Sequence, residues 1–192
     1  MFYTEPWKHD IIDNFFDDDT LKYCIGYLQS FRKRQNNHTV VKDKRLLDYF
    51  DNIFTEEYIS TNFPKHRPYE YLESVAEVNL ATKDFYYGLH DEAIYKILSV
   101  VVYLAPQHSS GTFLFNQSQQ LKKQIVWKPN RAFIFAGREG VTWHSYGHWI
   151  KQLVSRLITL KNILKNESIN CLSKPTNDDY SSNFCWNFYY NS

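Results

Sequence analysis

His90-Asp91-Glu92 precedes an apolar run from Ile97 to Ala105. A second histidine, His144, stands far downstream in Thr142-Trp143-His144-Ser145-Tyr146, with Arg156 beyond it. Two imidazoles and one carboxylate can occupy one face of an iron(II) ion and leave the opposite face open for a co-substrate and O2. If the chain is extended at the triplet, residues two apart project to one side and the residue between them to the other. His90 and Glu92 then form the ligand pair, with Asp91 outside it or behind it. Taken alone, a His with an acid two positions on says little, because seven histidines and 21 acidic residues in 192 yield about one such pair by accident. The order His, acid, His, Arg along one chain says more. Zinc is a second candidate for the same donors, although zinc hydrolases commonly present His-Glu-x-x-His on a helix, which is absent here. His9, His38, His66 and His108 lie in polar surroundings and read as surface residues. His148 is a poorer partner than His144 if Gly147 ends the strand.

The elements that must position these residues change character along the chain. Residues 10 to 64 carry helical signals, opening with Ile11-Ile12-Asp13-Asn14-Phe15-Phe16. Asp17 to Asp19 form an acidic step suited to capping the helix that follows. Leu21, Cys24, Leu28 and Phe31 make one stripe, and Leu46, Phe50, Ile53 and Phe54 make another. From about Ser74 the pattern becomes alternating or continuously apolar. Residues 75–80, 97–104, 111–115, 125–128, 132–136 and 141–146 are successive strand candidates, separated by turns at Pro106, Pro129-Asn130 and Gly137-Arg138-Glu139-Gly140. Short strands at this spacing point to a sandwich or jelly-roll barrel with helices outside it. The run from Ile150 to Leu164 fits helix or strand. Taken as strand, it turns Arg156 to the same face as Val154 and Ile158, where a guanidinium requires an anion.

Composition bounds the rest. A chain of 192 residues with 43% hydrophobic and 18% aromatic content is expected to fold as one domain with a substantial core. A formal net charge of +1 offers no field for steering onto nucleic acid. The longest clean apolar stretch, Val100 to Pro106, is far shorter than the roughly 20 residues of a membrane span. The amino terminus has no secretory pattern, so a cytoplasmic protein is expected. Cys24, Cys171 and Cys185 have no metal-type spacing and read as buried thiols.

On these residues the chain resembles the iron(II)- and 2-oxoglutarate-dependent oxygenases, in particular their prolyl-4-hydroxylase-like branch. The resemblance covers roughly residues 75 to 163. It rests on the His-x-Asp/Glu motif at His90, a Lys six positions on at Lys96, a strand ending in Tyr103-Leu104, and a Gly111-Thr112 strand start. The turn and strand Pro129 to Phe135, the distal Trp143-His144-Ser145 and the basic Arg156 complete it. The resemblance implies an α+β fold: a double-stranded β-helix, or jelly-roll, core with N-terminal helices packed on the outside of the major sheet. It divides the single domain, 1–192, into a mainly helical support at 1–73, a core at 74–164 and a C-terminal tail at 165–192. His90, Glu92 and His144 are implied as iron ligands. Arg156 is implied as partner of the far carboxylate of 2-oxoglutarate, with Tyr103 donating to the same group. Glu92 stands where Asp is commoner, and Ile158 replaces the Ser or Thr expected two residues after the Arg. The implied activity is hydroxylation of an unactivated C–H of a small molecule or protein side chain, using Fe(II), 2-oxoglutarate and O2 and releasing succinate and CO2. No nucleic acid or membrane partner is expected, and the aromatic tail is a candidate surface for self-association. The rival readings are a non-catalytic jelly-roll module gripping a sugar or peptide, and a cupin-like metal hydrolase or isomerase. Fold alone does not separate them.

Overall fold

Helices α1 (Asp18–Arg32), α2 (Lys44–Ile53) and α3 (Glu56–Asn62) each follow a residue whose side chain caps them. Asp17 accepts from the Thr20 N–H at 2.8 Å, Asp43 from the Leu46 N–H at 3.1 Å, and Thr55 from the Tyr58 N–H at 3.1 Å. Each contact satisfies a donor that the first helical turn leaves open. The computed structural model describes residues 2–32, 38–63, 72–82, 87–92, 96–105, 109–146 and 180–190. Arg156, His148, His66 and His108 lie outside them. Among the described residues no helix is long and apolar enough to cross a membrane.

The strands are β1 (Phe2–Tyr3), β2 (His9–Asp13), β3 (His38–Val40), β4 (Leu72–Thr82), β5 (Tyr87–His90), β6 (Lys96–Ala105), β7 (Thr112–Phe115), β8 (Leu121–Ile125), β9 (Arg131–Phe135), β10 (His144–Tyr146) and β11 (Tyr180–Tyr190). They form two antiparallel sheets, one ordered β1-β2-β9-β6-β11-β4-β3 and the other β5-β10-β7-β8. This is the two-sheet arrangement of a jelly roll.

Alternation along β6 and β9 separates two apolar clusters. Leu98, Val100, Val102, Leu104, Ala132 and Ile134 join Cys24 and Leu28 of α1, Leu46 and Phe50 of α2, and Ile59 of α3. On the other face Tyr103, Phe133 and Phe135 meet Leu114 and Ile125 of the smaller sheet, with Trp7 and Trp127. β6 is therefore apolar on both faces, which is why it reads as a continuous run and not as an alternation. Asn130, at φ 59°, fastens the turn before β9. Its amide accepts from the Phe16 N–H and donates to the Phe16 carbonyl, both at 2.8 Å.

Several expectations are corrected. Ile11 to Phe16 does not open a helix, because residues 9–13 pair as β2 with β9, more than a hundred residues away. Local periodicity carries no trace of such a partner. The strand expected at 125–128 lies earlier, at Leu121–Ile125, an edge strand whose exposed Lys122 suits a border facing water. The expected strand at 141–146 is shorter, His144–Tyr146, because residues 138–142 form a turn in which the Val141 and Thr142 N–H groups both bond the Arg138 carbonyl. The largest correction concerns the expected tail at 165–192. Tyr180–Tyr190 is an interior strand of the larger sheet, paired with β4 on one side and β6 on the other, so the core does not end at 164.

Candidate metal centre

β5 and β10 pair in a register that sets His90 directly opposite His144. Side chains opposite one another in an antiparallel pair share a face, and the two rings lie 4.2 Å apart between centroids. Each ring is oriented by its own strand. His90 Nδ1 is 2.7 Å from the Gly88 carbonyl, and His144 Nδ1 is 2.7 Å from the Thr142 carbonyl. A carbonyl only accepts, so both Nδ1 atoms carry the proton and both Nε2 atoms keep a lone pair. Metal-binding histidines are held in this way.

Glu92 completes the group from the segment between β5 and β6. Its Oε1 lies 3.7 Å from His144 Nε2 and accepts from Ser99 Oγ at 3.1 Å, while Oε2 pairs with Lys96 Nζ at 2.8 Å. Ser99 shares the inner face of β6 with Tyr103. Asp91 turns the other way, and its Oδ2 accepts from the Gly140 N–H at 2.6 Å. That division, Glu92 inward and Asp91 outward, agrees with the two-residue alternation of an extended segment.

Burial shapes the electrostatics. It lowers the His144 pKa from the ordinary 6.5 to about 4, helped by neighbouring His90. Burial likewise lowers His90, against the opposing pull of the Gly88 carbonyl. For Glu92, burial alone would raise the pKa, but His144 and the Lys96 ammonium carry it below the usual range. Near neutral pH the site therefore offers two neutral imidazoles and one carboxylate. That is a donor set suited to iron(II), and the one proton each ring retains is on the nitrogen facing away. Among the described residues no three His, Cys, Asp or Glu side chains already converge tightly enough to enclose an ion. Donors on adjacent positions of one ion stand about 3 Å apart for bonds of roughly 2 Å, so the 3.7 Å between His144 and Glu92 would have to shorten around a shared ion.

Of the other expected site residues, Tyr103 lies on the barrel's inner face, fully buried. It is four residues beyond Ser99, about 13 Å along the strand. Its hydroxyl is 2.6 Å from Thr112 Oγ1, and its ring stacks on Trp127 at 4.6 Å. Arg156 falls outside the described residues. His9, expected on the surface, is wholly buried instead: its Nδ1 faces the Trp7 carbonyl at 2.8 Å and its Nε2 faces Lys123 Nζ at 3.0 Å. Its polar sequence neighbours concealed that β2 turns it inward.

Ser99 and Gly137 were not anticipated. Ser99 had a signal, being the one hydroxyl in the run Ile97 to Val102. Gly137 had none beyond a turn, yet a Cβ there would come 2.8 Å from Glu92 Cβ and 2.7 Å from the Lys96 carbonyl.

No family model and no curated protein matches this chain. Solved structures do. A prolyl-4-hydroxylase from Pseudomonas putida superposes with a TM-score of 0.63 at 9% identity, covering 96% of this chain and 93% of that one. The viral collagen prolyl hydroxylase of Paramecium Bursaria Chlorella virus-1, in its 2OG complex, gives 0.58 at 12% identity and covers 96% of each chain. A prolyl hydroxylase from Trichoplax adhaerens, in complex with a hypoxia inducible factor peptide fragment, gives 0.59 at 11% identity, covering 94% of this chain and 83% of that one. The chain therefore has the fold of prolyl-4-hydroxylase-like 2-oxoglutarate oxygenases.

Proposed function

We propose that this chain is an iron(II)- and 2-oxoglutarate-dependent dioxygenase that hydroxylates an unactivated C–H bond and releases succinate and CO2. The observation that carries the reading is the opposed His90–His144 pair, each ring with Nδ1 tied to a carbonyl and so Nε2 free of the proton, with His144 Nε2 3.7 Å from Glu92 Oε1. The fold shared with prolyl hydroxylases supports it.

When bound, iron(II) with 2-oxoglutarate and O2 supplies an oxidant able to take hydrogen from an unactivated carbon. His90, Glu92 and His144 would hold the metal. With three protein donors, the metal would keep room for co-substrate and O2. The Gly88 and Thr142 carbonyls keep both rings in the binding tautomer. Tyr103 and Arg156 would hold the far carboxylate of 2-oxoglutarate, the first through a hydroxyl and the second through its guanidinium. Arg156 is assigned on charge and on the sequence resemblance. The inward aromatics Trp7, Phe133 and Phe135 wall the barrel beside the site and keep water from it. The apolar cluster shared by α1, α2, α3 and the larger sheet supports a reading of the helices as an outer brace that stiffens β6.

Tyr87, 55% exposed and edge-on to the His90 ring at 4.3 Å, marks a side of the proposed site that meets water. The solved prolyl hydroxylase with a bound peptide makes a prolyl residue the first substrate to try.

The test is succinate formation from 2-oxoglutarate by purified protein supplied with iron(II), together with the weak visible absorption of the iron(II)–2-oxoglutarate complex. Wild type is expected to show both, and His144→Ala neither. Near-wild-type turnover in His144→Ala would sink the assignment. Arg156→Ala is expected to raise the KM for 2-oxoglutarate while iron binding is kept. Incubation with peptides or a cell extract, followed by mass spectrometry for products heavier by one oxygen atom, identifies the substrate.

A further inference from the structure

Glu92 has one methylene more than an aspartate, so its carboxylate has one more torsion to fix before it can present an oxygen at a set place. Three contacts take up that freedom. Lys96 Nζ holds Oε2 at 2.8 Å, and Ser99 Oγ donates to Oε1 at 3.1 Å. Gly137 lets backbone press against the stem, where any side chain would collide with Glu92 Cβ. Oε1 is thereby left on the side of His144. Lys96 and Glu92 side chains are only 22% and 8% exposed, so this pair is largely withdrawn from water. A pair in that setting holds its geometry far better than one on the surface.

An ammonium beside a carboxylate ligand is electrostatically adverse to a divalent ion, because it offsets the ligand's charge and repels the metal. Charge alone therefore predicts that removing Lys96 tightens metal binding. Positioning predicts the opposite, since losing a partner that orients a ligand weakens metal binding about 10–100-fold. The two effects differ in sign.

We propose that Lys96 is a positioning residue of the metal centre: by holding Glu92 Oε2 it presents Oε1 to an ion shared with His90 and His144, and so adapts the longer acid to this site. The inference rests on the reading of His90, Glu92 and His144 as a ligand set.

Cobalt(II) titration of metal-free protein, followed by its visible ligand-field bands, tests it, with thermal unfolding as a check on folding. Wild type is expected to bind one cobalt ion. Lys96→Met is expected to fold, to bind about 10–100-fold more weakly and to show altered bands. Ser99→Ala should weaken binding in the same direction by less. The effect of Lys96→Met should shrink in a Glu92→Asp background, where the shorter arm has less freedom to restrain. Lys96→Met that binds as tightly as wild type, or more tightly, overturns the proposal while leaving the ligand set intact. If Lys96→Met does not fold, Lys96→Ala removes donor and charge alike. Weaker binding by Lys96→Ala supports the proposal, and equal or tighter binding overturns it. Wild type that takes up no cobalt overturns the ligand set itself, and this inference with it.

Discussion

Asp91 Oδ2 accepts the Gly140 N–H at 2.6 Å, tying the turn that precedes His144 to the segment that follows His90. The same turn is closed internally, since Thr142 Oγ1 accepts from the Arg138 N–H at 3.0 Å and donates to the Arg138 carbonyl at 3.1 Å. The Thr142 carbonyl, which orients His144, is thus fixed by a chain of bonds that begins at the residue between His90 and Glu92.

Asp91→Ala should therefore loosen the turn without touching any proposed ligand. The expected cost is about 1 kcal/mol of stability, as for one hydrogen bond at a partly exposed site. Amide exchange at Gly140 should quicken, with a modest loss of metal affinity. Unchanged protection at Gly140 would show that the strap does not hold the turn.

Stability of the metal-free protein should fall on acidification. A histidine whose folded pKa lies below its unfolded value favours the folded state when neutral. Its contribution is complete above the unfolded 6.5 and is lost as pH falls toward the folded value, about 4 for His144. His90 and His9 shift in the same direction. Glu92, also lowered, acts in the same sense but only below the ordinary carboxylate range. Urea unfolding with a chelator present, from pH 7 down to pH 4, is expected to show a slope of up to about 1.4 kcal/mol per pH unit for each such histidine. His144→Gln should flatten it.

Gly137→Ala places a methyl group 2.7 Å from a backbone oxygen and 2.8 Å from Glu92 Cβ. Overpacking of this kind costs about 1–3 kcal/mol. Because the displaced group is Glu92, metal affinity should drop as well. Gly88→Ala is the control, since nothing lies within 4 Å of a Cβ there. Denaturation midpoints and cobalt titration of the two variants should diverge.

Asn130→Ala removes two buried hydrogen bonds to Phe16 and puts a Cβ residue with no side-chain compensation at φ 59°. The expected loss is about 2–4 kcal/mol. Asn130→Gly, which accepts the backbone angle, should recover part of it. Equal stability of the two variants would show that the angle contributes nothing.

Much of this was legible in the order of residues. The helical stripe around Leu46 and Phe50, the apolar strand β6, the turn at Pro129-Asn130 and the alternation that turns Glu92 inward are local patterns, and each follows from the 3.6-residue or two-residue period of its own segment. The His, acid, His order was visible for the same reason, being a matter of residue type and sequence. The pairing of β2 with β9 was not, nor the burial of His9, nor the conversion of Tyr180–Tyr190 from an expected tail into the strand between β4 and β6. Those depend on partners a hundred or so residues away. No periodicity within a window records which edge a strand will join. The sequence by itself determined which side chains could bind a metal. Only the tertiary structure decided that His90 and His144 stand opposite one another, and that Lys96, Ser99 and Gly137 hold the acid between them. The physical reason is that strand register and backbone approach arise from packing of the whole barrel and not from any one segment.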